Sequence, residues 1–191
     1  RYAPPEAQGF DSDGLAEAVI QARLSGMRIH SLMVVRNGSV ILDASFWPFE
    51  QGHRHDVASV TKSVTATLIG VGIGRGVFTG VSQPVSSIFS DRSIANLADA
   101  KRRMTLANLL TMSSGLDCQA GQGEITLSQM RRSDNWTQFM LDLLMREEPG
   151  SRFEYCSGGM HLLSGAITEA TGLSALDFAR RDLFGPMGIT D

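Results

Sequence analysis

A serine and a lysine three positions apart, Ser59 and Lys62, lie in an almost charge-free run from Asp56 to Ile69. On a helix, positions i and i+3 share a face, so this spacing lets hydroxyl and ammonium meet. Val57, Val60, Val64, Leu68 and Ile69 predict that the helix is buried nearly all round. The chain has two lysines, Lys62 and Lys101, against fifteen arginines, so surface positive charge is an arginine task here. With twenty serines in 191 residues, a chance Ser-x-x-Lys is expected roughly 0.2 times. Two readings stand on spacing alone. The lysine packs its stem and snorkels to water, or it serves as a base for the serine.

The second reading has a definite chemistry. A serine hydroxyl is a weak nucleophile until a neighbouring base takes its proton. A lysine does this only when neutral, and burial disfavours its charged form. Bringing its pKa from about 10.4 to about 7 corresponds to roughly 4–5 kcal/mol. An apolar helix flank is a place that can supply this.

A second stretch, Arg152 to Met160, offers Tyr155 and Ser157 among small residues. It follows a Pro149-Gly150 turn and leads into a predicted helix from about Met160 to Ala170, so a phenol there can face a pocket. The plainer alternative is a packing tyrosine beside a buried thiol.

The elements that must position these residues are legible in outline. Asp11, Ser12 and Asp13 offer N-caps to a helix running through Leu15, Ala18, Val19 and Ala22 to Gly26. Two β-rich runs, Ser31–Arg36 and Ser39–Ala44, flank Asn37-Gly38 and predict a hairpin. Glycines 70, 72, 74 and 76 fall at a helix end with no preceding strand, which favours helix termination or close packing over a phosphate loop. Val85–Phe89 is a short apolar segment. Thr105–Met112 reads as a capped helix closed by Ser113-Ser114-Gly115, Asp117–Gly123 as a loop, Asn135–Met145 as an amphipathic helix, and Leu173–Phe184 as a last helix capped by Ser174.

Composition narrows the function classes. A hydrophobic fraction of 42% is ample for a core. A net charge of −3 leaves no basic footprint for nucleic acid, and no run of eighteen apolar residues exists to span a membrane. His30, His53, His55 and His161 are scattered, so no metal and no cofactor is expected. Cys118 and Cys156 either pair or stay apart, and two cysteines fix no compartment. An extracytoplasmic location is taken as the expectation. The chain starts at Arg1 rather than Met, which is read as trimming by biology or by preparation.

Taken together and in order, Ser59-Val60-Thr61-Lys62, then Leu109–Leu116, then Pro149-Gly150 with Phe153–Ser157 resemble the serine β-lactamase-related family. That family includes class C β-lactamases, penicillin-binding proteins, related esterases, D-aminopeptidases and 6-aminohexanoate-dimer hydrolases. The closing Leu183–Ile189 is similar to the segment after the tyrosine motif in these proteins, so the resemblance covers about residues 10 to 191.

The resemblance implies an α+β, β-lactamase/transpeptidase-like fold with an antiparallel sheet, helices and a mostly helical subdomain. Residues 1–56 would give the N-terminal helix and hairpin of the α/β region, and residues 57–191 the mostly helical region. It implies a serine hydrolase acting on carboxylic esters or small amides, with Ser59 acylated and Lys62 relaying or accepting its proton. Tyr155 would be general base and then acid, and the Ser59 N–H one oxyanion donor. Coupled groups of this kind titrate as a unit.

Two departures qualify this. Position 157 is serine where class C β-lactamases carry asparagine, so Ser157 is the expected substrate-binding residue, still able to bond Lys62, and esters or small amides become the better substrates. The chain also ends before the strand that bears the family's third motif (Lys-Thr-Gly or His-x-Gly type) and its second oxyanion donor. A hairpin alone makes no stable sheet. The expected partner is therefore the missing C-terminal part, in a longer protein or as a second chain. Without it, acylation is expected to be crippled, since one oxyanion donor is worth about 2.7–4 kcal/mol.

The alternatives to the esterase or amidase are a β-lactamase or D-Ala-D-Ala peptidase, and a non-catalytic binding relative. Cys118 lies just after a turn that, in this family, runs under the same cleft as Tyr155. The two cysteines are thereby close enough to pair, or are simply two small buried hydrophobes. Loops such as 117–135 would carry part of the specificity.

Overall fold

A computed structural model describes residues 1–119, 121 and 123–190. The chain divides into two compact units, Arg1–Val57 and Ala58–Asp191.

The first unit is a short 3-10 turn (Pro5–Gln8), helix α1 (Ser12–Leu24) and a hairpin of β1 (Ser31–Arg36) and β2 (Ser39–Ser45). Asp11 caps α1, its carboxylate accepting from the N–H groups of Asp13 and Gly14. Arg36 pairs with Ser39 across Asn37 and Gly38, whose φ values of 49° and 71° are the left-handed pair that a tight hairpin requires. The register slips between Val34 and Val35, a bulge of the kind that adds local twist. Val40 also bonds the N-terminal arm, through its carbonyl to Ala3 N–H and its N–H to Arg1 C=O. Among the described residues these two strands form the sheet.

The second unit is helical: α2 (Val60–Gly74), α3 (Val85–Ile88), α4 (Asp99–Arg103), α5 (Leu106–Leu110), α6 (Ile125–Arg132), α7 (Trp136–Asp142), α8 (Ser157–Thr171) and α9 (Ala175–Ala179). Its axis is α8, seven of whose residues from Gly158 to Ile167 are buried and which packs on α2, α5, α7 and α9. Leu68 and Ile69 of α2, Leu106 and Leu109 of α5, Met140 and Leu141 of α7, and Phe178 of α9 close this core. Gly158 permits the close approach of α8 to α7, since a Cβ there would overlap the Met140 sulfur. Gly72 plays the same part on α2, where a Cβ would lie 2.8 Å from the Phe78 ring, so close packing is the use of that glycine.

Several elements differ from the sequence-based expectation. The helix expected through Met145 ends at Asp142 because Leu144 turns to accept from the Asp117 N–H, and Met145 bridges Leu116. The ammonium of Lys101, a residue 2% exposed, caps the same bend by donating to the carbonyls of Leu141 (2.8 Å) and Leu143, and it ties in the segment ahead of α4 by donating to Ala95 C=O (3.1 Å). α8 begins three residues early, at Ser157, because the Cys156 sulfur accepts from the Gly159 N–H and serves as its cap. The last helix is shorter, α9 passing into a π turn over Arg180–Phe184. Among the described residues no helix is long and apolar enough to cross a membrane.

Cys118 and Cys156 are both buried and joined as a disulfide, with Cα atoms 5.6 Å apart. Of the two readings left open for them, the structure takes pairing. The bond closes a loop of 38 residues, a constraint worth roughly 4 kcal/mol in the chain-entropy model.

Candidate active site

Ser59 stands immediately ahead of α2, in right-handed helical backbone, after Ala58 in the left-handed region at φ 43°. A turn that tight, followed at once by a helix, presents the serine side chain at the helix end. Lys62 lies one turn on, and its Nζ donates to Ser59 Oγ at 2.8 Å. Tyr155 arrives from the segment ahead of α8, and its OH donates to the same oxygen at 2.7 Å. The Lys62 ammonium is also 5.0 Å from the centre of the Tyr155 ring. Three residues drawn from two distant stretches of sequence thus meet at one hydroxyl.

The Tyr155 segment is fixed by its neighbours. Glu154 N–H donates to Met112 C=O and Gly150 N–H to Ser113 C=O, which lays this strand-like stretch along the end of α5. Cys156 is held by the disulfide. The Lys62 ammonium first, and the Ser59 hydroxyl second, hold the Tyr155 phenol below the ordinary tyrosine range, while burial and Glu124 act weakly the other way. A phenol so placed gives up its proton more readily than tyrosine in water.

Two expectations need correction. The helix around Lys62 is not buried all round: Val57 and Val60 are 54% and 63% exposed, Val64 is half-buried, and the buried face starts at Leu68. The apolar stretch meets the core only from its third turn onward, so Lys62 itself is half-buried. Ser157 is not turned to Lys62. Its hydroxyl donates to Glu124 Oε2 at 3.0 Å and its N–H to Oε1 at 2.7 Å.

Glu124 is the residue that sequence reasoning missed. It precedes α6 at φ 53°, and no periodic pattern marks a glutamate in a glycine-rich loop as a partner for a residue 33 positions away. Beside Tyr155 opens a cavity of about 440 Å³ lined by Gln119, Gly121, Arg146, Arg152, Phe153 and Glu154. A larger cavity, about 860 Å³, lies wholly within the first unit and carries none of Ser59, Lys62 and Tyr155. The chemistry points to the smaller one.

A serine bonded to a lysine on its own helix turn and to a tyrosine from a second motif defines a class of serine-centred sites. The family model described as Beta-lactamase matches residues 15–191, and the chain belongs to that family. Its fold is the β-lactamase/transpeptidase-like one, helices with a small antiparallel sheet.

Solved structures agree with this fold. A penicillin-binding protein homologue from Pyrococcus abyssi aligns with TM-score 0.66 at 23% identity, over 93% of this chain and 43% of its own. A β-lactamase/D-alanine carboxypeptidase from Yersinia pestis gives 0.64 at 21%, over 83% and 47%. A D-amino acid amidase from Ochrobactrum anthropi gives 0.57 at 26%, over 75% and 46%. The chain therefore spans about half the length of the solved structures it matches. No curated protein matches it.

Proposed function

We propose that this protein is a serine hydrolase that forms an acyl-enzyme on Ser59 and acts on carboxylic esters or small amides. The observation that carries the reading is the convergence of Lys62 Nζ and Tyr155 OH on Ser59 Oγ, at 2.8 and 2.7 Å.

The chemistry follows from those contacts. Once the Lys62–Tyr155 pair has lost one proton, it accepts the Ser59 proton as Oγ attacks the substrate carbonyl carbon. The new C–O bond moves the carbonyl electron pair onto oxygen, where the Ser59 N–H, at the start of a fifteen-residue helix, supplies one oxyanion donor. Collapse breaks the bond to the leaving group, which takes its proton from Tyr155. Water then repeats the sequence on the acyl-serine, releasing the acid and restoring Ser59. Lys62 and Tyr155 act on the same hydroxyl, so the proton is assigned to the pair.

Ser157 supports esters and small amides over β-lactams, because its hydroxyl is engaged by Glu124 where class C β-lactamases place an asparagine amide. The likeness to a D-amino acid amidase supports an amide as one substrate class. The Cys118–Cys156 disulfide supports an extracytoplasmic location.

The test is a fluorophosphonate ester followed by intact-mass and peptide mapping. One adduct on Ser59, absent in Ser59→Ala, is the expected result. A Ser59→Ala protein that hydrolyses activated esters as fast as wild type would overturn the reading.

A further inference from the structure

The Leu109–Leu116 stretch carries part of the sequence resemblance, yet it has no part in the proton transfer proposed for Ser59. Its backbone holds the end of α5 to the segment that bears Tyr155. α5 ends at Leu110 with Thr111 as C-cap, and the chain then reverses through Met112 at φ 53°. Met112 N–H donates to Leu109 C=O at 3.1 Å, and Ser113 N–H to Asn108 C=O at 2.8 Å. These two bonds make a Schellman ending, in which the residue after the cap takes left-handed backbone and is usually glycine. α8 ends at such a glycine, Gly172 at φ 70°. At α5 the position holds a methionine, whose Cβ disfavours that backbone. A conformation of this kind persists only where the surrounding contacts determine it.

Those contacts lie on the carbonyl side of the turn. Met112 C=O accepts from Glu154 N–H at 2.8 Å, and Ser113 C=O from Gly150 N–H at 2.7 Å. Gly115 C=O accepts from the N–H groups of Arg146 and Glu147, at 2.8 and 3.2 Å. The carbonyls of residues 112, 113 and 115 thus hold the stretch from 146 to 154, whose last residue adjoins Tyr155. From there the phenol reaches Ser59 Oγ. The Met112 side chain is half-buried against the core, so packing is the competing use of this residue.

We infer that Met112 is a positioning residue for Tyr155: its left-handed backbone aims the carbonyl that receives Glu154 N–H, and so fixes the phenol at Ser59 Oγ. This rests on reading Ser59 as the acylated residue, and it names what holds the tyrosine there.

The test separates backbone from side chain at position 112. Met112→Ile keeps an apolar side chain but is β-branched, the kind least tolerant of positive φ. Met112→Asn and Met112→Gly discard the apolar side chain and accept positive φ. Each protein is titrated at the phenolate band and timed for labelling of Ser59 by a fluorophosphonate ester, with a denaturant melt to show that it is folded. In Met112→Ile the lower tyrosine step is expected to move up toward the ordinary tyrosine range, because the phenol loses Lys62 and Ser59. Labelling at saturating probe is expected to slow by about 10–100-fold, with the half-saturating concentration unchanged. Met112→Asn and Met112→Gly are expected to stay close to wild type in both readings. Wild-type behaviour in Met112→Ile, or an equal or greater loss in Met112→Asn and Met112→Gly, would overturn the assignment in favour of packing. Should Met112→Ile not fold, the other two variants decide: labelling slowed by about tenfold or more in both overturns it, and unchanged labelling and titration support it. Failure of the hydrolase reading appears separately, as a wild-type protein with no adduct on Ser59, and the tyrosine step then decides the positioning by itself.

Discussion

The Tyr155 hydroxyl lies 2.7 Å from Ser59 Oγ, although 96 positions separate the two residues in the chain. Lys62 completes the group from the helix that Ser59 begins. A hydroxyl that accepts from two acidic groups is ready to lose its own proton only after one of them has lost its proton first. On the proposed reading, that requirement ties turnover to the loss of the Tyr155 proton.

The chain has two tyrosines, and the structure separates their titrations in opposite directions. Lys62 and Ser59 lower Tyr155, whereas the hydrogen bond to Asp43, followed by that carboxylate's charge, raises Tyr2. Absorbance at the phenolate band should therefore rise in two steps, one on each side of pH 10. Tyr155→Phe should delete the lower step, and Lys62→Met should move it upward. For stability the signs differ. Between the lowered Tyr155 value and 10, the unfolded chain holds a proton that the folded one has shed, so this group's contribution grows with pH there. Above 10, Tyr2 holds its proton longer in the fold, and its contribution is lost as pH rises through its raised value. A single step near 10 for both tyrosines would remove the basis of this prediction.

Substitutions at the convergent hydroxyl should act as a unit. Ser59→Ala is expected to lower kcat/KM for an activated ester by about 10³-fold or more. Tyr155→Phe and Lys62→Met are each expected to cost about 10²–10⁴-fold. The double variant should fall little below the worse single one, because either loss disables the same proton transfer. Steady-state kinetics on the four proteins measures this, and multiplicative losses would argue for two independent roles.

The disulfide should matter twice over. Replacing both Cys118 and Cys156 by serine removes a closure of 38 residues and is expected to lower unfolding stability by about 4 kcal/mol. It also frees the residue next to Tyr155, so the lower tyrosine step should broaden or shift. Denaturant melts with and without reductant, together with thiol counting in the unfolded state, test both halves. Two free thiols in the untreated protein would rule the bond out.

Lys101 should behave as a structural cation. Its ammonium satisfies two backbone carbonyls at the end of α7, Leu141 and Leu143, and that of Ala95 ahead of α4, while nearly all of the residue is buried. Lys101→Met keeps the stem and strands those carbonyls, with an expected loss of about 3 kcal/mol. Lys101→Arg should not rescue it, since a planar fork does not fit a site shaped for a point charge. Unchanged melting of Lys101→Met would show that water replaces the ammonium without cost.

Much of this arrangement was legible from residue order. Asn37-Gly38 announced the hairpin because that turn type needs two positive φ values, and the Ser-x-x-Lys spacing announced the contact between Ser59 and Lys62 because helix geometry makes it local. The capping box at Thr105 and Asn108 was similarly local. α4 and α6 were not legible, at five and eight residues, because so few turns give the apolar period nothing to repeat. The Glu124–Ser157 clasp and the Lys101 contacts to Leu141 and Leu143 join residues 33 to 42 apart, so they depend on tertiary packing that no short window of sequence encodes. The exposed first turns of α2 were misjudged for the same reason: an apolar run specifies that a helix forms, not how far along it the core reaches.

The close approach of Gly158 to Met140 limits how this protein can be altered. Tyr155 sits three residues before that contact, on the segment leading into the most buried helix of the second unit. A side chain at position 158 would have to displace the sulfur and methyl of Met140, which is fully buried. The space around the tyrosine is therefore constrained on the side of the helix that follows it. A laboratory library has almost no freedom at position 158.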